Sequence, residues 1–355
     1  MQHLTKPLIV FLLLALLPVA GFTQEPDEAP KPPKLFASNE ILDVTLKGPW
    51  RRVMKQKSSP EKYAGTLEYT VAGGKTVSFP IGITTRGLTR RDQVCAFPPL
   101  KLWFDKEQVK GTAFRGQSSL KMVTYCNSNS RYEQYNVKEY LAYRIYNLIT
   151  PYSFRVRPMQ VNHVDSERDG KEVDFFGFLL EDIDDVAKRN GLVELEISRV
   201  SKKRLDSVET SNYVVYQYLI GNLDWSAQVG PDPDECCHNS KLIGTGPEDS
   251  PVFVIPYDLD STGLVNAHYA RPPNNLRVRR ITQRLYRGYC IHNSELPATL
   301  GRFRENREAI LGLFRDEPLL TDRSRSTAIK YLEDFYESVN EPEDVEKLLI
   351  GKCRQ

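Results

Sequence analysis

The sequence predicts an α+β fold of two lobes, an N-terminal antiparallel β lobe and a C-terminal, mainly helical lobe. Three observations carry this expectation. Residues 41–126 hold alternating or β-branched runs. Residues 132–149 switch to apolar positions three to four apart, as on a helix face. Beyond residue 181 the long segments keep helical spacing, apart from a β-rich run, VFVIPY, before Asp258.

The first 23 residues read as a secretory signal peptide. Lys6 is the positive flank, LIVFLLLALLPVAG (8–21) is an apolar core too short to span a bilayer, and cleavage falls between Ala20 and Gln24. Residues 24–38, opening QEPDEAPKPPKL, read as a Pro-rich linker. The β-rich lobe with its one long helix is then expected over 39–180, and the helical lobe over 181–355. Within the first lobe, ILDVTLKG, YAGTLEYTV, KTVSFPIGITT, PPLKLWF and SLKMVTY are the strands, with Gly73-Gly74 as a hairpin turn. YEQYNVKEYLAYRIYNLI is the helix, closed by Pro151, and FRVRPMQVNHV and VDFFGFLLE return to strand. The second lobe is expected to contain helices in SRVSKKRLDSVETSNYVVYQYLIGN, LPATLGRFRENREAILGLF and STAIKYLEDFYESV. The polar loop 227–250 is long enough for a functional insertion or lid.

Composition narrows the classes. A net charge of +2 gives no field that would mark a nucleic-acid binder. No later apolar run has the length of a membrane span, so the expected product is an exported protein, periplasmic or extracellular. Six cysteines in an oxidising compartment favour disulfides. Cys95 with Cys126 is the local pairing, and Cys236 or Cys237 is a partner for Cys290. The adjacent Cys236, Cys237 and His238 are poorly spaced for zinc, and no second ligand pair follows at finger spacing.

The chemistry concentrates in residues 218–260. YLIGNLDW ends an apolar run at Asn222 and Asp224, Asn239 opens another such run, and VFVIPYDLDSTG delivers Asp258 and Asp260. A protein kinase needs groups in this order. One Asp receives the substrate hydroxyl proton, an Asn holds a metal, and a second Asp at a strand end holds the metal on the phosphates. Hard cations such as Mg2+ or Mn2+ want these oxygen donors. Asp224 is therefore the candidate catalytic residue, and Asn239, Asp258 and Asp260 are candidate metal ligands. A phosphate-facing cation should come from the β lobe: Lys121 first, Lys101 second, paired with Glu139 or else Glu133 on the helix. Arg86-Gly87 and Arg90-Arg91 follow a strand and could approach phosphates, although no G-x-G-x-x-G is present. The basic run LRVRRITQRLYRG (276–288) suits a solvated face better than a site for acidic substrate.

These motifs resemble the spore-coat protein H (CotH) kinase family of secreted atypical protein kinases. RG followed by PPLKLWF (86–104), GKEVDFFGFLLEDID (170–184), and GNLDW, HN and IPYDLDSTG in sequence carry the resemblance. It implies a two-lobed, protein-kinase-like fold and an ATP- and metal-dependent transfer of phosphate to Ser or Thr of an exported protein. It also implies that Glu181 ends the strand where adenine would lie, that Asp224 is the catalytic-loop aspartate, and that Asn239 and Asp258 bind the metal. Asn239 follows Asp224 by fifteen residues, a longer spacing than the usual kinase loop. A catalytically inactive binding or envelope-structural protein is the alternative.

Overall fold

All the strand-like stretches of the N-terminal half form strands, but the sheet they make is closed. The computed structural model describes residues 34–70, 74–231 and 236–355. Strands β1 (Leu42–Gly48), β2 (Tyr63–Thr70), β3 (Thr76–Thr85), β4 (Leu100–Trp103) and β5 (Ser119–Val123) pair antiparallel in succession. Strands β6 (Val156–Asp165) and β7 (Glu172–Leu180) form an antiparallel pair, and β7 joins β5. β6 then runs parallel to β1, with Leu42 opposite Met159 and Gly48 opposite Asp165. The order β1-β2-β3-β4-β5-β7-β6 is a closed, mixed barrel.

This corrects the expected fold class. The protein is α+β only in the loose sense of a seven-stranded barrel with helices, and not a two-lobed kinase-like fold with an antiparallel N-terminal lobe. The physical reason is the β1–β6 ladder. It pairs strands far apart in the chain, removes both sheet edges, and leaves no mark on local periodicity.

Alternation along the strands fills the lumen. Val44 and Leu46 of β1, Leu67 and Tyr69 of β2, and Phe79, Ile81 and Ile83 of β3 share one buried cluster with Leu102, Leu120, Met159 and Val161. Helix α1 (Trp50–Lys55) follows β1 directly and buries Trp50 and Val53, with Trp50 5.4 Å from the Phe97 ring and 5.6 Å from His163 of β6. Leu35 and Phe36, within the expected linker, are buried in the same cluster. The expected signal peptide and most of the expected linker lie outside the described residues.

Helix α2 (Ser130–Ile149) begins where the Asn129 side chain accepts from the Arg131 amide, and stops at Thr150 before Pro151. It covers the outer face of β7. Phe176 packs on Tyr140 at 5.7 Å and Phe178 on Tyr143 at 6.0 Å. With one face in the lumen and the other under α2, β7 reads as the nearly unbroken apolar run FFGFLL. Gly177 is required there, because a Cβ would sit 2.6 Å from the Val123 carbonyl oxygen.

The C-terminal half mixes helices with a small sheet. Helix α3 (Ile183–Arg189) starts at an Asp182 cap, and β8 (Val193–Glu194) follows. Helix α4 (Ser207–Ile220) starts where Asp206 accepts from the Glu209 amide and ends at Gly221, φ +63°. The expected helix over SRVSKKRLDSVETSNYVVYQYLIGN is therefore confined to its second part. Strands β9 (Ser240–Gly244) and β10 (Phe253–Pro256) pair antiparallel, and β8 adds to β9. Part of the expected lid at 227–250 is thus a strand. Helices α5 (Leu296–Glu305), α6 (Arg307–Arg315), α7 (Asp322–Ser338) and α8 (Pro342–Leu348) complete the chain. Phe303, Ile310, Phe314, Leu332 and Phe335 join α4 in one core.

Cys95 is bonded to Cys126, as expected. Cys236 is bonded to Cys237 and Cys290 to Cys353, which corrects the expected bridge from the adjacent pair to Cys290. Among the described residues no helix is long and apolar enough to cross a membrane.

Candidate functional site

The site is built where two chain segments are tied together. After α4 the chain turns at Gly221, and Gly263 and Leu264 donate their amides to the Gly221 and Ile220 carbonyls at 3.1 and 3.0 Å. Asn222 bridges to Thr262. Buried Asn222 accepts from the Asp224 amide at 3.0 Å, and its carbonyl accepts from the Trp225 indole at 3.1 Å. These bonds fix Asp224 beside the segment that carries Asp258 and Asp260.

Asp224 is held on both sides. Its Oδ1 is 2.7 Å from His238 Nε2, and the Asn239 amide group donates to its Oδ2 at 3.2 Å and to its backbone carbonyl at 2.7 Å. The His238 hydrogen bond lowers the Asp224 carboxyl and raises the His238 imidazole. The Asp224 side chain keeps 39% of its surface open. With its nitrogen turned to Asp224, Asn239 has its amide oxygen left for a cation.

Asn239 and Asp258 are joined through Tyr257, whose amide donates to the Asn239 carbonyl at 3.1 Å. Both residues have positive φ, +48° and +56°, a region open to Asn and Asp at modest cost. The Asp258 amide donates to the buried Tyr143 hydroxyl at 3.0 Å. Its carboxylate, half-buried, has no hydrogen-bond or ion-pair partner among the described residues. Burial, with Asp260 and Asp224 nearby, raises it to about 6.

The barrel supplies the opposite charge. Lys121 of β5 lies over the Tyr257 ring, 4.5 Å from its centroid, and Arg86 after β3 donates to the Tyr257 hydroxyl at 3.3 Å. Lys121 makes no ion pair among the described residues. Burial, Arg86 and Lys241 lower its ammonium to about 8. Lys241 of β9 reaches Glu194 at 2.8 Å. Cations from barrel and small sheet therefore meet carboxylates from the α4 and β10 ends around one tyrosine.

Several expected residues are engaged elsewhere. Glu139 does not pair with Lys121. It is buried against Arg90 at 3.0 Å, and burial raises its carboxyl. Arg90 also lies 3.6 Å from Asp260, whose Oδ2 accepts from the Tyr269 hydroxyl at 2.8 Å. Asp260 thus belongs to a buried ionic network linking α2 to the segment after β10, and its carboxylate is not open to a metal. Glu181 is wholly buried; Arg189 reaches its Oε1 at 3.2 Å and the Arg155 amide its Oε2 at 2.9 Å. Its side chain serves the β7–α3 corner and is closed to a ligand. Glu133 accepts from the Phe176 amide at 3.0 Å, Lys101 lies over Trp103, and Arg91 binds Asp92 at 2.7 Å.

Two residues escaped the sequence reading. The sequence marks His238 as a neighbour of the cysteine pair, and its adjacency to Asn239 is the signal for a partner to Asp224. Tyr257 gave no signal beyond its place before Asp258. Both neighbouring cysteines, Cys236 and Cys237, are joined in a disulfide. Among the described residues no group of three or more His, Cys, Asp or Glu is arranged to hold a metal. A small hard cation suits one or two carboxylates completed by substrate phosphates, and Asp258, Asp224 and Asn239 carry oxygen donors of that type. No known family model matches the chain, and no curated protein matches it.

Proposed function

We propose that this is an exported phosphotransferase that moves the γ-phosphate of ATP to a Ser or Thr hydroxyl of a protein. The observation that carries the reading is the half-buried Asp258, whose carboxylate has no hydrogen-bond or ion-pair partner among the described residues, next to the tyrosine covered by Lys121, which makes no ion pair among them. A carboxylate and an ammonium left without direct ion pairs suit a ligand with an anionic chain and its own cation. Triphosphate with Mg2+ or Mn2+ has that chemistry. The motif resemblance to spore-coat protein H kinases points the same way, and the barrel does not oppose it, because chemistry resides in sites and not in folds.

Lys121 and Arg86 bind the phosphates. Asp258 and Asn239 would hold the divalent cation, which when bound offsets the charge of the β- and γ-phosphates. Asp224 orients the acceptor hydroxyl. As that oxygen bonds to the γ-phosphorus, the bond to the β–γ bridging oxygen breaks, ADP leaves, and the hydroxyl proton passes to the Asp224–His238 pair. The disulfides and the signal-like N-terminus support export.

Thermal unfolding with ATP and Mg2+ or Mn2+ tests the reading. At a hundred times Kd the ligand stabilises by about 2.7 kcal/mol. Asp258→Asn removes that gain, whereas Asp224→Asn keeps it and abolishes autophosphorylation. The absence of a shift with any nucleotide and metal overturns the reading. A shift without transfer to itself or to any exported protein tested leaves the inactive binding protein.

A further inference from the structure

From Ser261 to Ser294 the chain carries six arginines and no Asp, Glu or Lys. They divide by environment. Arg284 is largely buried, bonded to the Tyr218 and Leu219 carbonyls and stacked on Tyr331 at 3.8 Å. Arg287 bonds to the Leu223 and Trp225 carbonyls. Both act as struts under the Asp224 turn. Arg271, Arg277, Arg279 and Arg280 are exposed, and none makes an ion pair among the described residues. Arg271, Arg279 and Arg280 border an open depression of about 470 Å³ with His268 and Pro272.

The depression is physically joined to the candidate site. The Ile281 carbonyl lies 3.0 Å from the Cβ position of Gly263, and Gly263 is bonded to Gly221. Asp224 stands three positions after Gly221, and Arg280 is the immediate neighbour of Ile281. At ~3.5 Å per residue plus the two crossings, Arg280 lies within roughly 25 Å of Asp224, the reach of a short extended peptide. Three like charges around one depression, in a stretch lacking any carboxylate, repel one another. An anionic partner relieves that repulsion, and guanidinium forks match carboxylates well.

We infer that this arginine-lined depression is a docking groove for acidic residues flanking the phosphorylated Ser or Thr. The inference rests on the phosphotransferase reading and specifies its substrate class: peptides with Asp or Glu a few residues from the hydroxyl. It revises the expectation that the 276–288 run is merely a solvated face.

The test is fluorescence anisotropy at low salt with three labelled probes. These are a Ser peptide flanked by Glu, the same peptide with Lys replacing Glu, and a single-stranded oligonucleotide matching the acidic peptide's charge. The acidic peptide should bind at least ten-fold tighter than the basic one. Arg277→Glu/Arg279→Glu/Arg280→Glu should lose at least ten-fold in that affinity and keep the wild-type thermal shift with ATP and metal, which shows that it folds and that the nucleotide site is intact. Should the triple variant unfold, the single exchanges Arg279→Gln and Arg280→Gln, each losing about two- to five-fold, carry the test. Equal binding of acidic and basic peptides, or acidic binding unchanged by the substitutions, overturns the groove and leaves the nucleotide reading standing. Equal oligonucleotide binding also overturns it, by marking a general polyanion surface. Arginine-dependent acidic binding with no nucleotide shift keeps the groove and discards phosphotransfer.

Discussion

Glu181 and Asp258 stand in the same local context, an acidic residue just past a buried strand, and they meet opposite fates. Glu181 follows β7 and is closed in by Arg189 and the Arg155 amide, so its charge is spent inside the fold. Asp258 follows β10, and its half-buried carboxylate has no hydrogen-bond or ion-pair partner among the described residues. The histidines repeat the contrast. His163, inside the barrel, has Thr124 on Nε2 at 3.0 Å and the Val173 carbonyl near Nδ1 at 3.3 Å, and burial lowers it to about 4. His238 sits part-exposed beside Asp224 and is raised. The frame neutralises its polar groups, while the candidate site leaves charge in place. That difference separates structural from functional acids better than sequence position does.

The strongest way to break the comparison is to remove a partner from the satisfied acid. Arg189→Ala leaves the buried Glu181 unpaired, and also frees the Pro151 and Ser153 carbonyls that Arg189 holds. Loss of one partner of a buried pair costs about 3–5 kcal/mol. Urea unfolding should show that loss; a change below about 1 kcal/mol would show that Glu181 is not held as described.

The buried histidine gives the next effect. His163 titrates near 4 when folded and near 6.5 when unfolded. Between these values the unfolded chain binds more protons, so wild-type stability falls as pH drops from about 6.5 to 4. The gap corresponds to about 3 kcal/mol. His163→Gln should be less stable at pH 7 and should lose most of this slope. Unfolding curves at pH 7, 5.5 and 4.5 for both proteins check it.

Asp258→Asn should behave unlike Arg189→Ala. Asn tolerates the positive φ, and the substitution removes a carboxylate that burial and the neighbouring Asp260 disfavour. Stability at pH 7 should change by less than about 1 kcal/mol, or rise. A large destabilisation would place Asp258 among the structural acids and dissolve the contrast.

The contrast also shows where the sequence speaks. β1 to β7 and α2 are plain in it, because alternation and helical spacing are local properties. Barrel closure is invisible, since β1 meets β6 through a ladder that either strand could make with another partner. The short β8 and β9 carry too few residues to show a period. Cys95–Cys126 is legible because both lie in one sheet region of the sequence, whereas Cys290–Cys353 depends on how α5 to α8 bring the C-terminus back to Gly288, where the Arg354 amide donates at 2.7 Å. In the site, the order Asp224, Asn239, Asp258 is legible. The diversion of Glu139 to Arg90 and of Asp260 to Tyr269 is not, because it depends on which side chain arrives first in three dimensions.

The smallest predicted effect has the opposite pH sign from that of His163. His238 gains Asp224 on folding, so its folded pKa lies above its unfolded value of about 6.5. The folded state then holds the proton more tightly, and the stabilisation is fully present below pH 6.5. It is lost as pH rises through the folded pKa. Both side chains keep more than a third of their surface open, so solvent screens the pair and the effect stays well below that of His163. The stability difference between wild type and His238→Gln should therefore shrink on going from pH 6 to pH 8, and Asp224→Asn should bring the imidazole back toward 6.5 in a proton NMR titration. A His238 that already titrates at or below 6.5 in the wild type would mean that the 2.7 Å contact does not hold a charged imidazole. Proton transfer in the proposed reaction would then fall to Asp224 alone.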